Sequence, residues 1–287
     1  MKVLVSGATG KLGPHVVRAL RERGAAVSAL VRDPGKAATL LGPDVELVLG
    51  RFDDTSVVRA ALEAVDAFLL LTPHGPDMAA TQNALVDLAV AAGTRVVKVS
   101  GTSSGIGPAG PDACRQHYDT EQHLASSGVP WAVLRPNGFM QTLVAGMAAT
   151  VRERGVVVNP LGTAGIALVD CADVGAAAAA VLSDPAHDGR HHVLTGPSAP
   201  TYAQMAEDIE RLTGRTVAVL DVTPEQAGAA ARAKGLSEWE AGHLAEMLDL
   251  FRTGAAEAIS DDLPRLLGRP ARSVAEFVAD NQPLFTS

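Results

Sequence analysis

The chain opens on an apolar strand that runs straight into a glycine turn. Residues 1–13 read MKVLVSGATGKLG, with glycines at Gly7, Gly10 and Gly13, and a helix-like stretch follows from Pro14 to Arg23. Strand, glycine turn and helix in that order restrict the fold sharply. The first glycine permits a tight reversal at the strand end. The second lets backbone approach a pyrophosphate, and the third lets the helix pack closely on the sheet. The helix N-terminus then offers free N–H groups to phosphate. A lone Gly-x-x-Gly-x-x-Gly is a weak signal, but here its flanking strand and helix supply the context of a dinucleotide site. Gly7, Thr9, Gly10, Lys11, Leu12 and Gly13 are its candidate cofactor-binding residues.

Downstream, apolar runs alternate with helical stretches, as in a parallel sheet covered on both faces. The pattern predicts strands at Lys2–Ser6, Ala26–Val31, Val45–Leu49, Ala67–Leu71, Arg95–Ser100 and Trp131–Leu134. It predicts helices at Lys11–Arg23, Thr55–Ala64, Asp77–Ala92 and Ala113–Ser127, with Asp54 and Asp77 as polar helix starts. After Pro136 the pattern loosens into helices at Phe139–Arg154, Cys171–Leu182, Tyr202–Thr213, Pro224–Lys234, Glu238–Thr253 and Ser273–Ala279. Short strands are predicted near Ile166–Val169, His192–Thr195 and Thr216–Leu220. The division that follows is a nucleotide-binding domain at 1–135, to which 155–195 returns, and a mainly substrate-binding lobe at 136–287. The Gly/Ser/Pro-rich stretch Gly101–Pro111 follows a strand, and reads equally as a lid or as a solvated connector.

A chain of 287 residues with 47% hydrophobic and 20% charged residues can bury a substantial core. Aromatics make up only 3%, so aliphatic side chains and alanine must fill it. The net charge of −8 argues against nucleic acid or an anionic membrane as partner. No apolar run reaches a membrane span, and the first residues read as a core strand rather than a signal peptide. Cys114 and Cys171 lack metal spacing and read as free thiols in a reducing cytoplasm, the expected location. The expected partner is a small molecule, with a homodimer left open.

The end of the second predicted strand normally faces the adenosine ribose. There the chain carries Arg32, Asp33, Pro34 and Lys36. An acidic residue in that place favours NAD; the planar, permanently charged Arg32 suits a 2′-phosphate, with Lys36 as a second charge. Asp33 either accepts from a ribose hydroxyl or only starts the turn at Pro34. NADP(H) is therefore expected over NAD(H). Phe52, after the third strand, is placed to flank the adenine. Thr72, Pro73 and His74, after the fourth, are placed along the path to the nicotinamide.

Several segments together resemble the NmrA-like branch of the atypical short-chain dehydrogenases. They are Ser6–Gly13 (SGATGKLG), Val31–Pro34 (VRDP), His117–Glu121 (HYDTE), Ser127–Pro136 (SGVPWAVLRP), Phe139–Gln141 (FMQ), Val169–Gly175 (VDCADVG), His192–Pro197 (HVLTGP) and Leu267–Pro270 (LGRP). The resemblance covers nearly the whole chain. It implies an α/β fold, a Rossmann-type doubly wound parallel sheet with a smaller, mostly helical C-terminal substrate lobe. It also implies NADP(H) more often than NAD(H), and a cleft under the lobe. Members include quinone, dye and ergot-alkaloid reductases as well as redox-sensing regulators, so function must be argued from the site.

Ordinary short-chain dehydrogenases use Tyr-x-x-x-Lys on one helix face. Here Tyr118 is followed four residues on by Gln122, and His117 by Glu121, which resembles the family's version of the motif. Glu121 can orient the His117 imidazole, or both can merely shape the helix. Candidate catalytic residues are His117, Tyr118 and Ser100. Lys98, in an apolar strand, either reaches the nicotinamide ribose or pairs with a buried acid. Pro136 is a further cofactor contact, and His74, Asn137, Phe139 and Met140 are candidate substrate contacts, with core packing the alternative for Phe139 and Met140. No metal site is expected at His191 and His192. The leading reading is an NADPH-dependent oxidoreductase passing hydride to a small quinone, iminium, dye or enone/carbonyl acceptor. The alternative is a cofactor-ratio sensor that binds a protein partner without turnover. An epimerase is weaker, because the tyrosine–lysine pair is missing.

Overall fold

A computed structural model describes residues 1–286 of the chain. The first half runs β1 (Lys2–Val5), α1 (Gly13–Glu22), β2 (Ala26–Val31), α2 (Pro34–Leu41), β3 (Glu46–Leu49), α3 (Thr55–Glu63), β4 (Ala67–Leu70), α4 (Met78–Ala92), β5 (Arg95–Val99), α5 (Asp112–Ser126) and β6 (Trp131–Pro136). Then come α6 (Met140–Arg154), β7 (Val156–Asn159), α7 (Cys171–Ser183), β8 (Arg190–Leu194), α8 (Tyr202–Thr213) and β9 (Ala218–Asp221). The remaining α-helices among the described residues are α9 (Pro224–Ala233), α10 (Glu238–Arg252), α11 (Asp262–Leu267), α12 (Val274–Asp280) and α13 (Pro283–Thr286).

Seven strands form one parallel sheet in the order β3-β2-β1-β4-β5-β6-β8. The order reverses between β1 and β4, and ligands bind outside the carboxyl ends of strands at such a switch point. Strand side chains alternate between two buried faces. Val3, Val5, Val97 and Val99 join α1 and α7 on one face, while Leu4, Phe68, Val96 and Val133 join α3, α4 and α5 on the other. This is the expected doubly wound, Rossmann-type α/β architecture. A second core, built from Met140, Val144, Met205, Ile209, Phe251 and Phe277, holds the C-terminal helices together. The strands β7 and β9 pair there as a separate parallel ribbon, whereas β8 joins the main sheet beside β6.

Several sequence expectations need correction. Pro34 does not merely turn the chain: it opens α2, and the Asp33 carboxylate caps that helix by accepting from Lys36 N–H at 3.0 Å. Asp54 and Asp77 make no side-chain cap on α3 and α4; Asp54 instead accepts from Arg51 N–H. Residues 166–169 form no strand. They are buried and bond scattered partners, Ile166 N–H to Pro200 O, Ala167 N–H to Ala256 O and Val169 to the Gly138–Met140 backbone, rather than one ladder, and an apolar run of that length does not itself distinguish strand from buried connector. Conversely, β7 follows α6 after a single glycine, without the cluster of turn residues that would have marked a strand. Among the described residues no helix is long and apolar enough to cross a membrane.

Candidate active site

The turn after β1 is fixed by backbone crowding. Gly7 has φ +62°, and a Cβ there would lie 2.6 Å from the Leu71 carbonyl oxygen. A Cβ on Gly13 would lie 2.4 Å from the carbonyl oxygens of both Gly7 and Ala8. Gly10 N–H donates to the Gly7 carbonyl at 3.0 Å and closes the turn. Ser6 Oγ stitches this turn to the end of β4, donating to the Leu69 and Leu71 carbonyls and accepting from Leu71 N–H. No side chain caps α1, and its first turn holds no acidic residue. Pro14 has no N–H, and those of His15 and Val16 donate to the Leu12 carbonyl, so the N–H groups left at this end for an anion are those of Leu12 and Gly13. This cradle fits a dinucleotide pyrophosphate. The Leu12 side chain is buried in the core, so only its backbone can serve there. Lys11 reaches from the turn to the lobe, donating to Thr142 Oγ1 at 3.2 Å.

At the end of β2, Arg32 and Lys36 are both exposed, and neither side chain forms an ion pair among the described residues. Asp33 is occupied as the helix cap, so Arg32 and Lys36 are the exposed charges left at this end of β2. Phe52, half-buried, packs on the core cluster beneath α3.

The other end of the switch point is built from β4, β5 and α5. Thr72 is buried and accepts from Gln82 Nε2 at 2.7 Å; Pro73 and His74 beyond it are exposed. Gln116 holds the loop in place, donating to Gly75 O and accepting from Ala79 N–H. Lys98 does not reach toward a cofactor, contrary to expectation. It is fully buried on the α5 side of β5, with Nζ 2.8 Å from His117 Nδ1. Burial draws its ammonium down to about 7, with the Glu121 charge pulling it up and Arg135 pushing it down. Burial also holds His117 well below the usual imidazole range, and the Lys98 charge adds to this. His117 Nε2 lies 3.4 Å from His74 Nε2. His74 in turn packs edge-on against His243 of α10, which stacks on Trp239.

Glu121 does not orient His117. Its carboxylate accepts a bidentate pair from Arg135, Nη2 at 2.5 Å and Nε at 3.2 Å, and the Ser100 hydroxyl at 2.5 Å. Burial pulls the Glu121 pKa up, but the bonds from Arg135 and Ser100 outweigh it and hold the carboxyl below its ordinary range. Ser100, expected as a free catalytic hydroxyl, is therefore committed to Glu121. Tyr118 sits about 100° around the helix from His117 and does not join the cluster; it is half-buried.

The lobe wall differs from expectation at two positions. Asn137 donates to Ala256 O and accepts from Gly138 N–H and Thr102 Oγ1, so this buried amide is engaged in bracing the surrounding loops. Met140 is fully buried in the lobe core. Phe139, half-buried just before α6, packs against the core beneath α1 and α7, and Pro136 is buried at the end of β6. The loop 101–111 packs down on α5 and α10, where a Cβ at Gly105 would meet Cys114 and Leu250. Sequence reasoning missed Arg135 and His243. A charged residue inside the apolar strand WAVLRP was a usable signal for Arg135, since a strand buried on both faces must pair such a group; nothing near His243 marked it.

Residues 1–261 match the model of the NmrA-like family. The chain belongs to the NmrA-like family. Among NmrA-like relatives, it is 34% identical to an NAD(P)H azoreductase of Xenophilus azovorans over 99% of both chains. Its fold matches an Escherichia coli NADPH-dependent quinone oxidoreductase solved with NADPH, at a TM-score of 0.88 and 28% identity, covering 98% of this chain and 99% of that one. It also matches the Citrobacter triphenylmethane reductase solved with NADP(H), at a TM-score of 0.85 and 25% identity, covering 97% and 99%. In this NmrA-like chain the motif helix thus carries two separate devices. His117 joins Lys98 and His74, while Glu121 joins Ser100 and Arg135.

Proposed function

We propose that the chain is an NADPH-dependent oxidoreductase that reduces small organic acceptors of the quinone, azo-dye, iminium or conjugated-carbonyl kind. The observation that carries this reading is the placement of a phosphate cradle and the His117–His74 pair on one edge of the sheet, at the ends of β1, β4 and β5. The full-length likeness to reductases of dyes and quinones supports it.

The backbone of Gly7, Thr9, Gly10, Leu12 and Gly13 holds the pyrophosphate, and Arg32 with Lys36 takes the 2′-phosphate. Phe52 flanks the adenine, and Thr72, Pro73 and Pro136 line the way to the nicotinamide. Bound there, the reduced cofactor supplies hydride. His74 and Phe139 border the acceptor, and His117 gives a proton to the acceptor's heteroatom. The lobe from residue 136 onward covers the acceptor, while 1–135, joined by the returning α7 and β8, carries the cofactor. Holding the reacting groups in register accounts for most of the catalysis such a site needs.

Steady-state oxidation of NADPH and NADH against a quinone, an azo dye and an imine tests the reading. Turnover of at least one acceptor with NADPH preferred is the expected result. Tight NADPH binding with no turnover of any acceptor rejects it in favour of the sensor.

A further inference from the structure

A lysine sealed inside a parallel sheet is costly, and among the described residues its one hydrogen-bond partner is a ring nitrogen of His117. An ammonium can only donate, so His117 Nδ1 must accept, and the ring carries its proton on Nε2. That proton points along the 3.4 Å contact toward His74 Nε2. The hydrogen bonds are therefore polarised outward, from Lys98 through His117 to an exposed histidine. Gly101 adds no side chain at this edge, where a Cβ would stand 3.1 Å from His117 Cδ2 and 3.6 Å from Nε2.

We propose that Lys98 is the proton reservoir of this site and that His117 passes its proton on by exchanging tautomers. The inference rests on the reductase reading. An acceptor that has taken hydride gains a basic oxygen or nitrogen. The Nε2–H bond of His117 breaks as the new O–H or N–H bond of the product forms. The Lys98 N–H bond breaks as Nδ1–H forms, leaving neutral His117 and a neutral amine. A proton arriving through His74 at Nε2 then drives the Nδ1 proton back to Lys98. The imidazole never becomes a buried cation or an imidazolate, which is what its depressed pKa beside a charged lysine demands. The groups facing this pair are Glu121 on α5, Arg135 on β6, His74 after β4 and His243 on α10; among them Glu121 and Arg135 act on Lys98 in opposite directions.

Two acceptors separate this role from a structural one. A quinone needs a proton as well as hydride, whereas a triarylmethyl cation is neutralised by hydride alone. In Lys98→Met the quinone rate should fall about a hundredfold, the usual worth of a positioned general acid. The ratio of quinone to cation rate should fall at least tenfold. The quinone rate of the parent protein should decline as pH rises past about 7, where Lys98 loses its proton, and the variant should lack that limb. At pH 6, where Lys98 is charged, the ¹⁵N spectrum of the cofactor-free parent protein should show His117 protonated at Nε2 and bare at Nδ1. An Nδ1–H tautomer in the parent protein overturns the proposal even if every variant misfolds. Equal losses on both acceptors, or no loss on either, overturn it too. A parent protein that reduces neither acceptor refutes the reductase reading instead, while the tautomer measurement still stands on its own.

Discussion

Lys98 Nζ lies 2.8 Å from Nδ1 of His117, and both side chains are buried between β5 and α5. The pairing stabilises no charge on the imidazole; it leaves an ammonium in an apolar sheet whose pKa falls to about 7 from an ordinary value of 10.5. Between those two values the unfolded chain binds a proton that the folded one does not, so stability rises with pH across that window. Below pH 7 both states are protonated and the full cost of burial is present. Lys98→Met should therefore raise Tm most at pH 6 and least near pH 10. Each kcal/mol gained corresponds to about 2–4 °C in a chain of this size. Thermal melts of both proteins across that range check it, and a pH-independent difference would refute the assignment.

Gly13 meets two backbone carbonyls at the distance where a methyl group would sit. Gly13→Ala must displace the turn from the start of α1, and backbone cannot yield as a flexible side chain does. NADPH affinity should drop at least about tenfold, roughly 1.4 kcal/mol, with a modest fall in Tm. Calorimetric titration is the check.

Arg32 is, with Lys36, one of the exposed charges left once Asp33 is taken up as the cap of α2. Arg32→Ala should weaken NADPH binding by about ten- to a hundredfold, the worth of about 1.5–3 kcal/mol for hydrogen bonds to a charged group, and leave NADH binding nearly unchanged. Competition binding of the two cofactors measures the ratio. Retained preference for NADPH would move the 2′-phosphate contact elsewhere.

Asp170 is buried at the start of α7 and accepts from Ala172 N–H, Gln141 and Arg272. Burial raises its pKa, but those bonds and the Arg272 charge outweigh it and hold the carboxyl below 3.8. The stability this contributes is present above that pH and lost as pH falls through the depressed value. Removing the arginine strands a buried carboxylate. Arg272→Met should cost about 3 kcal/mol at pH 7, and the deficit should shrink in acid. Urea unfolding at pH 7 and pH 4 reads both effects.

The glycine turn and the six core strands were legible because both depend on local sequence. A tight reversal needs glycine, and a strand buried on both faces reads as a nearly continuous apolar run. The partner of Lys98 was not legible. Pairing residues 98 and 117 requires the register of β5 against α5, which no periodicity states. The likeness of His117–Glu121 to a helix motif even suggested the wrong neighbour, since residues four apart share a face without having to touch. Glu121 turned to Arg135 and Ser100 instead, because a bidentate guanidinium offers a buried carboxylate more than a neutral imidazole can. Asp33 was half legible: its place before Pro34 marked a start, and the helix that follows was obscured by Gly35 and its short length.

The central claim is that this chain turns NADPH over against a small organic acceptor. Anaerobic mixing of the NADPH-loaded protein with excess quinone, followed by the loss of NADPH absorbance and the mass of the product, tests it most directly. One two-electron-reduced quinone should form for each NADPH consumed. NADPH that remains bound and unoxidised, with quinone and with azo dye alike, would contradict it.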